Sequence, residues 1–576
     1  MPSKVVVIGL DGATFTLLRP WMEQGRLPFF RSLVEDGVSG PLRSCIPPVT
    51  VPAWQCFMTG KNPGQLGIAG FLQSKPHSYE EVPISATSCT ARTFWEWLSL
   101  DGKRLAVLNV PYSAMPPHFN GVFIGGFDIP PSRMAEAVYP PGLLQEIERK
   151  FGEYRVYLKM PQWIAPLLSI DRFEFAIEAF LRDCQDLTDY QFRAAYDLIG
   201  RDQFDLVMFY QLVPDRIQHL LWYIIDPAHP WHDAAAHSPF RETIAGYFQK
   251  LDAQLAKLVR LVGQDVTVIV LSDHGFGPVL RGIDLNSWLV QEGYVQIKTQ
   301  PWSQFKRRLW QLGWGPYSLL GPLLKYPLRW PLVQKRLLRR FKTQRPFHGW
   351  DRLLQVMNRL FLSTEDIDWP RTQAYCLSEF GMLRLNVQGR EPQGAVPPEH
   401  YEALRDELVE KLQGLVDPAT NRRVMGQIFT KEQAYHGKYV DVMPDIAYLP
   451  FVSEYLAVNP TTFLTSRVFI DNIGVSGFHR LDGVLLACGP GLKKGAAIEG
   501  ATLFDLAPTL LHLMGSRVPE DMDGRVLTEL FEEQFLKEHP IVYVEAPADT
   551  NREATGLSQE DQEVVLERLK GLGYID

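Results

Sequence analysis

The chain has no C-x-x-C pair. Its six cysteines, Cys45, Cys56, Cys89, Cys184, Cys376 and Cys488, are scattered over 576 residues. That argues against a disulfide framework and a cysteine-rich zinc site, and leaves reduced core thiols. No apolar stretch is long enough to span a bilayer. No charged leader with an apolar run and cleavage site precedes the first strand-like segment, so the expectation is a cytoplasmic protein. Positive charge is not in excess: 58 Lys and Arg stand against 66 Asp and Glu, a formal −8. A pI near 6.0 argues against a general nucleic-acid binder, and no nucleic-acid polymer is expected as partner. There is no internal repeat and no low-complexity linker. What remains is ordinary globular composition, 46% hydrophobic and 22% charged. The length suits one large domain with insertions, or two domains.

Continuous apolar, β-branched runs recur at 5–10, 105–110, 204–210, 266–271 and 483–488, and read as strands buried on both faces. Shorter strands are expected at 121–125, 381–387 and 442–448. Helical patterns lie between them: one helix and its exit over 17–37, a mostly helical 134–200 with an amphipathic stretch at 173–198, then 240–262, 400–412, 503–513 and a charged 558–570. The alternation predicts an α/β fold with a mostly parallel central sheet flanked by helices.

Chemistry-bearing residues sit where these strands end. Asp11 follows the first strand, where open α/β sheets place ligands, though Asp-Gly is also a common turn pair. Thr50, in PPVTVPAWQCFMTG, precedes a short buried helix ending at Gly60. Pro52 suits its first turn. A threonine there is either a helix cap or a nucleophile that needs a base or metal to activate it. Asp215 and His219 are four apart, so on a helix they share a face; they read as a capping Asp and a surface His, or as a metal pair. Asp273 and His274 end the 266–271 strand before Gly275, and His479 precedes the last long strand. Strand ends along one sheet edge converge, and these seven residues could hold two divalent ions. Zinc suits imidazole and carboxylate together, with manganese as the alternative.

Residues 302–352 differ in character, with twelve Lys and Arg against the single acid Asp351, and Trp302, Trp310, Trp314 and Trp330 among them. This basic, aromatic helical insertion, bounded at 295–368, reads as a layer for an anionic membrane surface, as a cap attracting anionic substrates, or as a solvated cap.

VIGLDG, PPVTVPAW with TGKNPG, VPDRIQH, LSDHG and GFHRLDG occur in order, followed by LFDLAPTLLHLMG and VPEDMDGRVL. Together they resemble the alkaline phosphatase superfamily, and within it the type I phosphodiesterase/nucleotide pyrophosphatase family. The resemblance spans about 4–290 and 370–530. It implies an alkaline phosphatase-like catalytic core over 1–290 plus 370–530, and a tail at 531–576. It implies one ion held by Asp11, Asp273, His274 and the Thr50 oxygen, and another by Asp215, His219 and His479. The implied reaction is hydrolysis of a small-molecule phosphoester through a phospho-threonine at Thr50.

The pattern also departs from its relatives. Phe71 stands where nucleotide-cleaving members carry a phosphoryl-binding asparagine, and Leu66 where relatives often have histidine. Trp54 occupies the position of the sulfatase arginine, which disfavours a sulfatase. The separate domain of the phosphoglycerate mutases is missing. A phosphomonoesterase is the alternative and would need a cation near the phosphate, for which Lys61 and Arg43 are the candidates. A membrane-surface protein that binds or transfers phospho-head-groups is the third reading.

Overall fold

The computed structural model describes residues 4–75, 77–158, 174–315, 359–376, 380, 382–450, 455–458, 463, 466–471, 474–546 and 556–572. At its centre is a mixed sheet of ten strands. In chain order these are β1 (Lys4–Leu10), β2 (Val38–Arg43), β3 (Leu105–Val110), β4 (Gly121–Gly125), β5 (Val138–Tyr139), β6 (Leu206–Gln211), β7 (Val266–Leu271), β8 (Asp482–Cys488), β9 (Ala496–Ala497) and β10 (Ala501–Thr502). Their spatial order is β9-β2-β8-β7-β1-β6-β3-β4-β5, with β10 also paired to β2. The run β7-β1-β6-β3-β4 is parallel throughout. Val5, Val6, Val7 and Ile8 are fully buried, as the unbroken apolar run requires of a strand covered on both faces. The flanking helices include α1 (Thr50–Thr59), α2 (Glu174–Ile199), α3 (Val213–Ile225), α4 (Ala234–Val262) and α5 (Leu506–Leu513).

Strand direction decides where the chemistry gathers. Parallel β1, β6 and β7 end on one edge, and Asp11, the start of α3 and Asp273 follow them directly. β8 runs antiparallel to β7, so its beginning, just after His479, lies on that same edge. β2 is antiparallel to β8 in turn, so its end, leading to Thr50, returns there too.

Several elements differ from expectation. The single helix over 17–37 is two, Phe15–Glu23 and Pro28–Glu35, because the chain breaks at Gly25 and Pro28 starts afresh. The 134–200 stretch is interrupted by β5. The strand over 381–387 shrinks to Arg384–Leu385. There the Leu385 N–H donates to the Asp445 carboxylate (2.8 Å), and the Asn386 amide donates to the Trp369, Thr372 and Gln393 carbonyls. The short strand pairs with Ala374–Tyr375, while Leu383 bridges to Ile446 instead.

The buried apolar residues fall into two clusters. One surrounds the central sheet. The other runs from Ile283 to Phe463, with Trp288, Trp310, Leu362, Leu385 and Tyr448 among its members. It is wider than the expected insertion at 295–368 and draws in residues past 370. Of the basic stretch itself, a helix at Pro301–Gln311 is described, and 316–352 lies outside the described residues. Among the described residues, no helix is long and apolar enough to cross a membrane.

Candidate metal centre

Thr50 is the first residue of α1, and it does not cap it. The cap position is Val49, without a side-chain hydrogen bond. Gly60, with φ +70°, closes the far end as expected. Thr50 is fully buried, and among the described residues nothing hydrogen-bonds its Oγ1. The first N–H groups of the helix lack intrahelical acceptors and face outward from a positive dipole end. Gly9 sets the helix against the sheet: a Cβ there would stand 2.4 Å from a ring carbon of Trp54. The indole therefore rests on β1 only because that position has no side chain.

Six other candidate residues form two buried groups. Asp11, Asp273 and His274 make one, and Asp215, His219 and His479 the other; in each, one ligand atom per residue lies within 4.8 Å of the rest. Asp215 and His219 face the same way from α3, and their atoms are 3.2 Å apart. His274 Nε2 is 3.4 Å from both Asp11 and Asp273. The two groups touch, since the rings of His274 and His479 stack at 3.5 Å. The turn before Thr50 touches them as well, because His479 Nδ1 donates to the Pro48 carbonyl at 2.8 Å. Gly12, at φ +66°, lets the chain turn so that its N–H donates to Asp273 (3.2 Å).

The histidines are preset as ligands. Nδ1 of His219 donates to the Gly477 carbonyl (3.0 Å), that of His274 to Gly275 (3.1 Å), and that of His479 to Pro48. A carbonyl can only accept, so each Nδ1 carries a proton, and Nε2 is the atom that each ring turns to the site.

Electrostatics supply the test of fit. Asp11, Asp215 and Asp273 are all fully buried. The Arg216 guanidinium grips the outer oxygen of Asp215, with Nε at 2.7 Å. Burial pushes Asp215 up, but Arg216 and His219 outweigh it and hold it well below the usual carboxylate range. Asp11 and Asp273 are instead pushed up, first by burial and then by carboxylate neighbours, Asp215 for the one and Asp11 for the other. Burial alone would lower His274, yet Asp273 and Asp11 outweigh it and hold it at about 9. Burial dominates for His219 and His479, which stay low. A carboxylate pair that draws a proton onto its neighbouring imidazole is a site short of positive charge, and a divalent cation fits its donors.

Three neighbours escaped the sequence reading. The Tyr210 hydroxyl donates to Asp11, but Tyr210 read as strand core. Arg216 lies inside VPDRIQH, where its charge was a visible signal. Phe380, a half-exposed non-glycine residue at φ +67°, lies with its ring 6.0 Å from that of His479; no pattern marked it. Phe71 is buried between Tyr112 and Phe380 and offers no donor. Lys61 is not brought to Thr50. It lies beyond the opposite end of α1, about 15 Å along the axis, and pairs with Asp521. Arg43 is exposed at the end of β2, opposite Asp482.

A family model described as type I phosphodiesterase / nucleotide pyrophosphatase matches residues 5–453. No curated protein matches. Among solved structures, phosphonoacetate hydrolase from Sinorhizobium meliloti 1021 in complex with phosphonoformate is similar at TM-score 0.48 and 13% identity, covering 88% of this chain and 94% of that one. Human ectonucleotide pyrophosphatase/phosphodiesterase 5 is similar at TM-score 0.43 and 13% identity, covering 93% and 99%.

Proposed function

The chain belongs to the type I phosphodiesterase/nucleotide pyrophosphatase family and is a hydrolase of phosphoric ester bonds, and we propose that it cleaves a small phosphodiester or pyrophosphate through Thr50, using two divalent ions. One observation carries this reading. A buried hydroxyl without a hydrogen bond begins a helix beside two buried triads of carboxylate and imidazole.

Asp11, Asp273 and His274, with the Thr50 oxygen, would hold one ion, and Asp215, His219 and His479 the other. Zinc matches these donors, with manganese as the alternative. Ions at these positions would supply Lewis acidity: ionisation of the Thr50 hydroxyl and neutralisation of charge on the phosphoryl oxygens and the leaving oxygen. That supply is needed, because among the described residues no side-chain base accepts from Thr50 Oγ1.

The rest is the work of the chain. Thr50 Oγ1 attacks phosphorus, the Oγ1–P bond forms, and the P–O bond to the leaving alcohol or phosphate breaks. Water then attacks the same phosphorus, the Oγ1–P bond breaks, and the threonine hydroxyl is restored. Outward N–H groups of α1 suit a non-bridging oxygen. The tied Nδ1 atoms fix the three imidazoles, so little reorganisation is needed as charge moves. With Phe71 in place of an amide donor, this reading does not include nucleotide selectivity. The monoesterase alternative is weakened because Lys61 is committed to Asp521.

Metal-loaded and chelated protein should be compared on an aryl phosphodiester and its monoester, and then on a diester chiral at phosphorus. Diester preference that disappears on chelation, with retention of configuration, is expected. Inversion would exclude the threonine intermediate; turnover untouched by chelation would exclude the metal reading.

A further inference from the structure

The helix Pro301–Gln311 is turned the wrong way round for a part of a sealed surface. It buries polar residues: Ser303 and Lys306, 4% exposed each, both bind the Asp366 carboxylate, at 2.7 and 3.0 Å. Trp310 enters the second apolar core beside them. Its large apolar side chains face water instead. Trp302 is 53% exposed, Phe305 47%, and Leu312, just past the helix end, 74%. Trp302 and Phe305 stack on each other at 5.4 Å, and Trp314 adds a further half-exposed indole.

Spacings of three, four and three place residues 302, 305, 309 and 312 in one stripe. By the same period Arg308 flanks that stripe, and it is exposed. The Lys306–Asp366 pair fixes the helix, so the stripe cannot roll inward without breaking a buried ion pair.

We propose that this face is a docking surface for an anionic phospholipid bilayer, with Trp302, Phe305 and Leu312 entering the headgroup boundary and Arg308 at its flank meeting a lipid phosphate. The composition is that of an interfacial helix: aromatic and leucine anchors, arginine beside them, no acid from 302 to 350. Charge favours lipid over a second copy of the chain. A two-fold pairing through this patch would bring Arg308 near its own copy, like charge to like, whereas an anionic leaflet offers it phosphate. The proposal stands apart from the hydrolytic reading, since it uses none of its residues.

The test is flotation of the full, metal-loaded chain with vesicles of phosphatidylglycerol and phosphatidylcholine, and with pure phosphatidylcholine. Binding to the anionic vesicles is expected, weakening as salt rises. Trp302→Ser, Phe305→Ser and Leu312→Ser combined should lower it by about tenfold or more. Arg308→Gln should lower it by about fivefold and reduce the anionic preference. Both variants should hydrolyse a water-soluble diester as the wild type does, which reports intact folding. Wild-type protein that floats with neither vesicle overturns the proposal. So does a serine variant that binds unchanged, or a wild-type dimer that the serine variant disperses.

Discussion

Replacing Thr50 by valine separates a structural from a catalytic role by the sign of the stability change. Valine keeps the branched shape and exchanges the hydroxyl for a methyl. If Thr50 capped α1, the change would cost about 0.5–2 kcal/mol. The structure gives the opposite sign. Val49 holds the cap position, Thr50 is fully buried, and its Oγ1 has no hydrogen bond. Burying an unsatisfied hydroxyl costs roughly 1–3 kcal/mol, and Thr50→Val removes that cost from the metal-free protein. For a unit of several hundred residues this amounts to on the order of 1 °C in Tm per kcal/mol. Scanning calorimetry on chelated protein should therefore show Thr50→Val melting about 1–3 °C above wild type. Diester turnover by the metal-loaded variant should fall by about four orders of magnitude or more, as expected when a nucleophile is removed. Thr50→Ser should keep measurable turnover. A Thr50→Val protein that melts lower when chelated, or turns over at a wild-type rate, refutes the reasoning.

Three further outcomes follow from packing and charge. Gly9→Ala puts a methyl 2.4 Å from Trp54; a loss of about 1–3 kcal/mol in denaturant titration should accompany reduced turnover, because Trp54 and Thr50 share α1. Arg216→Met leaves the Asp215 carboxylate buried without its guanidinium, which should cost about 3–5 kcal/mol in chelated protein and visibly less once metal is loaded; an equal loss in both states would argue that no cation sits at Asp215. Glu81 is pushed up to about 7 by burial, with Arg384 pulling the other way. Its folded value lies above its unfolded one, so its stabilising contribution is fully present below about pH 4.5 and lost as pH rises through about 7. Glu81→Gln should accordingly stabilise the protein at about pH 8 by as much as about 3 kcal/mol and change little in acid; denaturant titrations at both pH values measure it.

Most of the seven candidate residues were legible because they stand close to a strand end or helix start that their own neighbours announce, although His479 lies inside a short strand, Gly477–Arg480. Apolar runs such as 5–10 and 266–271 specify buried strands, and the residue after such a run falls at the sheet edge. Spacing placed Asp215 and His219 on one helical face for the same local reason. Residues whose role comes from another part of the chain could not be read this way. Tyr210 looks like any core aromatic until β6 lies beside β1. Lys61 looked available to a phosphate until the far end of α1 set it against Asp521, 460 residues on. The 381–387 run looked like one strand until Leu383 bridged to Ile446 and the Leu385 N–H went to the Asp445 carboxylate.

The sequence alone thus determined the α/β class and the residue types that gather at the strand ends, which follow from local period and order, while its ordered motifs carried the resemblance to the family. Only the tertiary structure decided that Thr50 caps nothing, that Lys61 is set against Asp521, and that the helix at 301–311 shows its aromatic side to water. Each depends on which distant backbone carbonyl, carboxylate or ring occupies the neighbouring space, and that is set by strand order and direction, which no local pattern encodes.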